Sequence, residues 1–226
     1  MGSGNLPMLQ RLSLLTFCLL LLLPGCQTTR EMYYNAWENF GGYAKRERLV
    51  DYVVAARDEQ GEAKEQFTSA LEQFKSIVNF QGGDLEALYN DLNGSYEASA
   101  DQAEAVRDRI ASVRNVGSAL FQEWDAEVEE ISDSDLRRRS RELYDQTQQS
   151  YNEMLARMDA AAASMDPVLT RFRDRVLFIK SNLNAQAIAS LRGTEVELTE
   201  DIEALIAEME ASIREADEFI AQIQQG

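Results

Sequence analysis

The sequence predicts an all-α protein: an elongated antiparallel four-helix bundle or coiled coil with two long central helices and a protruding helical hairpin. Three observations predict it. Apolar residues recur in alternating steps of 4 and 3 along four long stretches, which is the seam period of packed helices. No stretch alternates with period two, so no β-sheet is expected. Pro7 and Pro24 fall near the start, leaving Pro167 alone in a chain rich in Ala, Glu, Gln, Leu and Arg, the composition of long helices.

The chain opens with a polar start carrying Arg11, an apolar core from Leu12 to Leu23, and Pro24-Gly25-Cys26. That arrangement looks like a bacterial lipoprotein signal. The apolar core is shorter than the ~20 residues a membrane-spanning helix needs. Residues 1–25 are therefore expected to be removed and Cys26 to carry lipid, with Pro24 a departure from the usual lipobox. By analogy with enterobacterial lipoproteins, Gln27 in place of Asp after the cysteine implies the outer membrane, facing the periplasm. Cys18 leaves with the leader and Cys26 is acylated, so no disulfide is expected.

Residues 26–44 form a juxtamembrane segment holding Tyr33, Tyr34, Trp37, Phe40 and Tyr43. Amphipathic rings suit the lipid headgroup layer, and they equally suit the open end of a bundle core. The helical domain follows over residues 45–226. Its first stripe is Leu49, Val53, Ala56, Gln60, Ala63, Phe67, Ala70, Phe74 and Ile77. The second runs Leu85, Tyr89, Leu92, Tyr96, Ser99, Ala103, Val106, Ile110, Val113, Gly117, Leu120 and Trp124. The third runs from Tyr151 through Met154, Met158, Ala161, Met165, Val168, Phe172, Val176 and Ile179 to Leu183. The fourth is Leu198, Ile202, Leu205, Met209, Ile213, Ala216, Phe219 and Ile223.

Capping signals separate the stripes. Phe80-Gln81-Gly82-Gly83-Asp84 offers a glycine stop and an Asp N-cap, Ser132-Asp133-Ser134-Asp135 offers N-caps, and Gly193-Thr194 a C′ glycine and a threonine cap. Helices are expected at about 44–80, 84–131, 135–192 and 195–224, with at most a kink at Asn93-Gly94 and at Asp166-Pro167. At 1.5 Å per residue the middle pair would run ~70 and ~85 Å, the outer pair ~55 and ~45 Å. The middle pair should then project beyond the outer pair as a two-helix hairpin at about residues 120–150.

Charge and chemistry narrow the function classes. Lys and Arg number 22 against 39 Asp and Glu, a net charge of −17, so nucleic acid is not expected as a partner. The chain has no histidine, no glycine-rich phosphate loop and no nucleophile triad, so no enzyme, cofactor or metal is expected. Carboxylates beside arginine, such as Glu104 with Arg107 or Glu210 with Arg214, read as surface pairs along one helix. Met154, Met158 and Met165 read as core. Gln60, Thr147 and Asn184 read as polar residues that fix register. One dense basic cluster, Arg137, Arg138, Arg139 and Arg141, lies at the expected hairpin tip. Either the local acids Asp133 and Asp135 neutralise it, or an outside anion such as a lipid headgroup or peptidoglycan carboxylate does.

Two blocks carry a family resemblance. Glu65-Gln66-Phe67, Ser69 to Phe80 and Gly82 to Asn90 make one; Met165 to Leu169, Phe172-Arg173-Asp174 and Phe178 to Leu191 make the other. Together they resemble a proteobacterial envelope family catalogued as domain of unknown function 2959. The resemblance implies a helical, exported and often lipidated protein with no assigned activity or binding residues. Both blocks meet at the end away from the hairpin, where Phe80, Gly82, Gly83, Asp84, Asn182 and Asn184 are the candidate partner surface. Tyr33, Tyr34, Trp37 and the four arginines are the candidate membrane or wall contact. The expectation is an adaptor or structural lipoprotein that binds an envelope protein, the wall or its own copies. The alternative is a small-ligand or cation-binding helical module.

Overall fold

In the computed structural model the described residues are 25–79, 82, 84–182 and 184–225, with side chains described from residue 45 onward except at 185, 187 and 225. The chain divides into two compact units, Met1–Lys45 and Arg46–Gly226. The predicted leader and the side chains of Cys26, Tyr33, Tyr34 and Trp37 lie outside the described residues, as do Phe80, Gly83 and Leu183.

The elements are all helical: α1 Gly25–Val78, α2 Leu85–Glu130, α3 Ser134–Ser181, a short α4 Ala185–Leu191, a 3-10 turn Arg192–Thr194, and α5 Glu195–Gln225. No strand occurs among the described residues. Within the second unit α1, α2, α3 and α5 pack as an antiparallel bundle, and cross-helix bonds give the register. Gln66 on α1 reaches Ser99 on α2, Arg114 on α2 holds Asp159 on α3 at 2.7 and 2.8 Å, and Tyr96 on α2 meets Phe172 on α3 edge-on. Arg171 on α3 bonds Asp201 on α5, and Arg57 on α1 bonds Asp217 on α5 at 2.8 Å. Each helix therefore runs opposite to both of its neighbours.

The seam periodicity translates into burial almost residue for residue. Every position of the first stripe is buried, Gln60 included, and so is the second from Leu92 to Trp124, apart from the half-buried Tyr96. All described positions of the third stripe are buried, and α3 extends it backwards through Thr147 to Tyr144. Removing one such Phe or Leu side chain from water is worth roughly 1.5–3 kcal/mol, so the four seams dominate the stability of the fold.

The structure departs from the spacing in several places. The fourth stripe carries Ser212, 0% exposed, where the sequence suggested the half-buried Ile213; a strict 4-3 step from Met209 to Ala216 selects Ser212. The third helix does not continue to residue 192. It ends at Ser181, with Asn182 at φ −135° and ψ 55° and its side-chain amide donating to Phe178 O at 3.1 Å. That bond offers the last carbonyls an alternative to another helical turn. Asn184 is exposed rather than a core register residue. Helix α1 starts at Gly25, well before the expected residue 44. Asn93-Gly94 and Asp166-Pro167 both lie within continuous helices.

Capping follows the predicted residues at Asp84 and Asp133 but not at Gly193-Thr194, which lie in the 3-10 turn, with Thr194 Oγ1 donating back to Leu191 O at 3.0 Å. Asp84 Oδ1 accepts from the Glu86 and Ala87 amides at 2.9 and 3.2 Å, and Asp133 Oδ1 accepts from those of Asp135 and Leu136, both at 2.9 Å. Gly82 has φ +142°, a backbone conformation that side chains resist. At the other end of the bundle Gln222 and Ile223 line a cleft with Trp124 and Leu143. The fourth helix thus covers the hairpin as far as those residues, and the expected two-helix stretch of 120–150 is shortened from both sides.

Candidate functional site

The candidate partner surface collects at one end of the bundle. Arg192 in the 3-10 turn donates from Nε to Val78 O, the last residue of α1, at 3.2 Å. This bond brings the α3–α5 connection against the end of α1, beside the turn that leads to Asp84. Asp84 and Asn182 are both occupied in capping their own helices. Gly82, Asp84, Asn182 and Asn184 are exposed, while Phe80 and Gly83 lie outside the described residues.

The most exposed apolar side chains at this end are ones the spacing did not single out. Leu177 is 48%, Phe178 39% and Val196 63% exposed. Arg175 sets their mutual height: its Nη2 lies 3.4 Å from Thr194 O and 3.7 Å from Glu197 Oε2, which places Val196 level with this part of α3. A sequence signal was present. Val176-Leu177-Phe178-Ile179 is four consecutive apolar residues, and one helix face cannot bury all four.

The basic cluster at the hairpin tip is largely engaged. Arg137 Nε donates to Ile131 O at 2.7 Å, and Arg138 Nη1 to Glu142 at 2.8 Å. Arg141 bonds Asp125 and Glu129 and lies 5.3 Å from the Tyr144 ring centre. Bonding to Asp125 above all holds the Arg141 guanidinium further toward its charged form. Among the described residues the ion pairs of the cluster are made by Arg138 and Arg141, not by Arg139. The neutralising acids are chiefly Asp125, Glu129 and Glu142; Asp133 is spent as a cap, and Asp135 stands 4.0 Å from Arg138. Leu136 and Leu143 are exposed beside them.

Ion pairs expected along single helices instead cross between helices. Arg107 holds Asp166 and Lys64 holds Glu210, because these residues flank the seam and face the neighbouring helix.

The interior at the hairpin side is aromatic. Phe121 stacks on Trp124 at 6.2 Å and meets Tyr144 at 5.7 Å and Tyr151 at 5.1 Å, while Tyr151 meets Phe219 at 6.0 Å. Tyr151 donates to Val113 O at 3.2 Å and lies across Gly117, where an added Cβ would stand 2.4 Å from the ring. Burial pushes the Tyr151 phenol above its ordinary range. Arg46 covers Trp124, its guanidinium carbon 5.0 Å from the ring centre. The cleft beneath measures about 40 Å³, room for no more than a water or two.

Among the described residues no group of three or more His, Cys, Asp or Glu side chains is placed to hold a metal ion. No described helix is long and apolar enough to cross a membrane.

Fold and surface together define an all-α antiparallel bundle. The family model described as a protein of unknown function, DUF2959, matches residues 33–223, and the chain belongs to that family. No curated protein and no solved structure matches the chain.

Proposed function

We propose that the protein is a lipoprotein anchored through Cys26 to the outer membrane, facing the periplasm, and that it acts as an adaptor or structural element through its helical surfaces. The observation that carries the contact role is the set of exposed apolar side chains at the turn end, Leu177, Phe178 and Val196. Large apolar side chains grouped on a surface favour contact with another macromolecule. The lipid anchor rests on the leader and on Cys26.

Metabolic labelling with an alkyne fatty acid tests the anchor. The wild-type chain should take up label and sediment with outer membranes, and Cys26→Ala should do neither. Equal labelling of both chains, or of neither, would overturn it. A small-ligand reading is supported by one feature, the buried Gln60 and Ser212, whose side-chain polar atoms have no hydrogen-bond partner among the described residues.

A further inference from the structure

Elsewhere in the bundle, hydroxyls and amides show how polar groups are satisfied directly. Thr147 donates to Leu143 O at 2.8 Å, and Ser112 to Asp108 O at 2.9 Å. Ser99 donates to Ser95 O at 2.8 Å and accepts Gln66 Nε2 at 3.4 Å. A glutamine of α1 and a serine of α2 thus meet without help.

Gln60 and Ser212 do not. Both are 0% exposed. Gln60 Nε2, Gln60 Oε1 and Ser212 Oγ have no hydrogen-bond partner among the described residues. Ser212 does not even bond back to the preceding turn, as Ser99, Ser112 and Thr147 do.

The two lie at one height. The α1–α5 pairs Arg57–Asp217 and Lys64–Glu210 bracket Gln60 on one helix and Ser212 on the other. Between them Gln60 stands level with residue 214, about 3 Å along the axis from Ser212 at 1.5 Å per residue. Along the seams Gln60 is flanked by Ala56 and Ala63, and Ser212 is followed by Ala216, all fully buried. Small side chains therefore flank Gln60 on both sides and Ser212 on one, with the fully buried Met209 on its other side.

A buried amide offers two donors and an acceptor, and leaving them unmade is unfavourable. Internal waters answer this need in folded proteins, typically with about three hydrogen bonds each to otherwise unsatisfied groups. We propose that Gln60 and Ser212 form an internal hydration site in the middle of the bundle. Its water accepts from Gln60 Nε2, donates to Gln60 Oε1 or to Ser212 Oγ, and joins α1 to α5. An anion or cation does not suit the site, since neither side chain carries charge and the flanking seam residues are apolar.

The test uses the full-length protein in detergent. Oxygen-17 and deuterium relaxation dispersion count waters held inside a protein, and Gln60→Met, Ser212→Ala and the double variant are compared with wild type. Helical circular dichroism confirms that each variant is folded, and Ser212→Ala is the gentlest change. The wild-type dispersion amplitude should fall by about one or two waters in the double variant. Folding constants should show a coupling of about tenfold between the two sites, since one guest links them. Unchanged dispersion overturns the proposal. So does coupling without loss of a water, which would mean that Gln60 bonds Ser212 directly.

Discussion

The two ends of the bundle are held together by different means. At the hairpin end five rings, Phe121, Trp124, Tyr144, Tyr151 and Phe219, interlock, and Arg137, Arg138 and Arg141 are bound by backbone or acid. At the turn end the buried core of Phe74, Ile77, Ile179 and Leu198 is closed off by polar groups: Asp84 caps α2, Asn182 caps α3, and Arg192 holds the last carbonyl of α1. Rings supply area and shape, so the first end resists deformation; caps satisfy backbone groups and leave side chains such as Phe178 facing outward. Both ends expose apolar side chains, Leu136 and Leu143 at the hairpin and Leu177, Phe178 and Val196 at the turns, so the contrast lies in what closes the interior: interlocked rings at one end, capped helix ends at the other.

Breaking the ring cluster should have the largest effect. Tyr151→Ala removes a nearly buried ring and its bond to Val113, and should cost about 3–5 kcal/mol in denaturant unfolding. Next comes Gly117→Ala, whose methyl group would meet the Tyr151 ring at 2.4 Å. A loss of about 1–3 kcal/mol is expected from overpacking. Gly61 is the control: nothing lies within 4 Å of its Cβ direction, so Gly61→Ala should gain about 0.5–1 kcal/mol from helix propensity. If both glycines respond alike, the ring-lock account of the hairpin end fails.

Breaking a cap should cost less. Asp84→Ala is expected to lose about 1 kcal/mol, with faster amide exchange confined to the first turn of α2. Ring ionisation sharpens the comparison further. Burial raises the folded pKa of Tyr151 above the unfolded value near 10. Its contribution is therefore fully present below pH ~10 and declines as the pH rises through the folded value. Ultraviolet titration should show one phenol ionising late, and stability falling over that alkaline range; Tyr151→Phe should remove that part of the fall. Smallest of all, Phe178→Ser should leave stability within about 0.5 kcal/mol, as exposed positions do.

Most of the architecture was legible because the seam is strict. A buried position every 3.5 residues from Leu49 to Ile77 admits a single reading, and Asp84 and Asp133 cap where their residue type suggested. The end of the third helix was not legible, since Asn182-Leu183-Asn184 contains neither Gly nor Pro and its sequence is compatible with continued helix. Ile213 masked Ser212 because hydrophobicity was weighed above period. The pairs Arg107–Asp166 and Lys64–Glu210 cross between helices, and spacing along one helix says nothing about the helix alongside. The candidate surface was half legible: Gly82, Asp84, Asn182 and Asn184 are exposed, but Asp84 and Asn182 serve their own helices, and the exposed Leu177, Phe178 and Val196 depend on which face of α3 and α5 the bundle leaves outside.

The most direct test of the contact role is photocrosslinking in intact cells, with a photoreactive residue at Phe178, at Asn184 and at Arg139 in turn. Phe178 or Asn184 should give a discrete adduct to another envelope protein, lost in Val196→Ser, and Arg139 should give none. Adducts only to lipid, to the protein's own copies or to nothing from the turn end would contradict the adaptor reading.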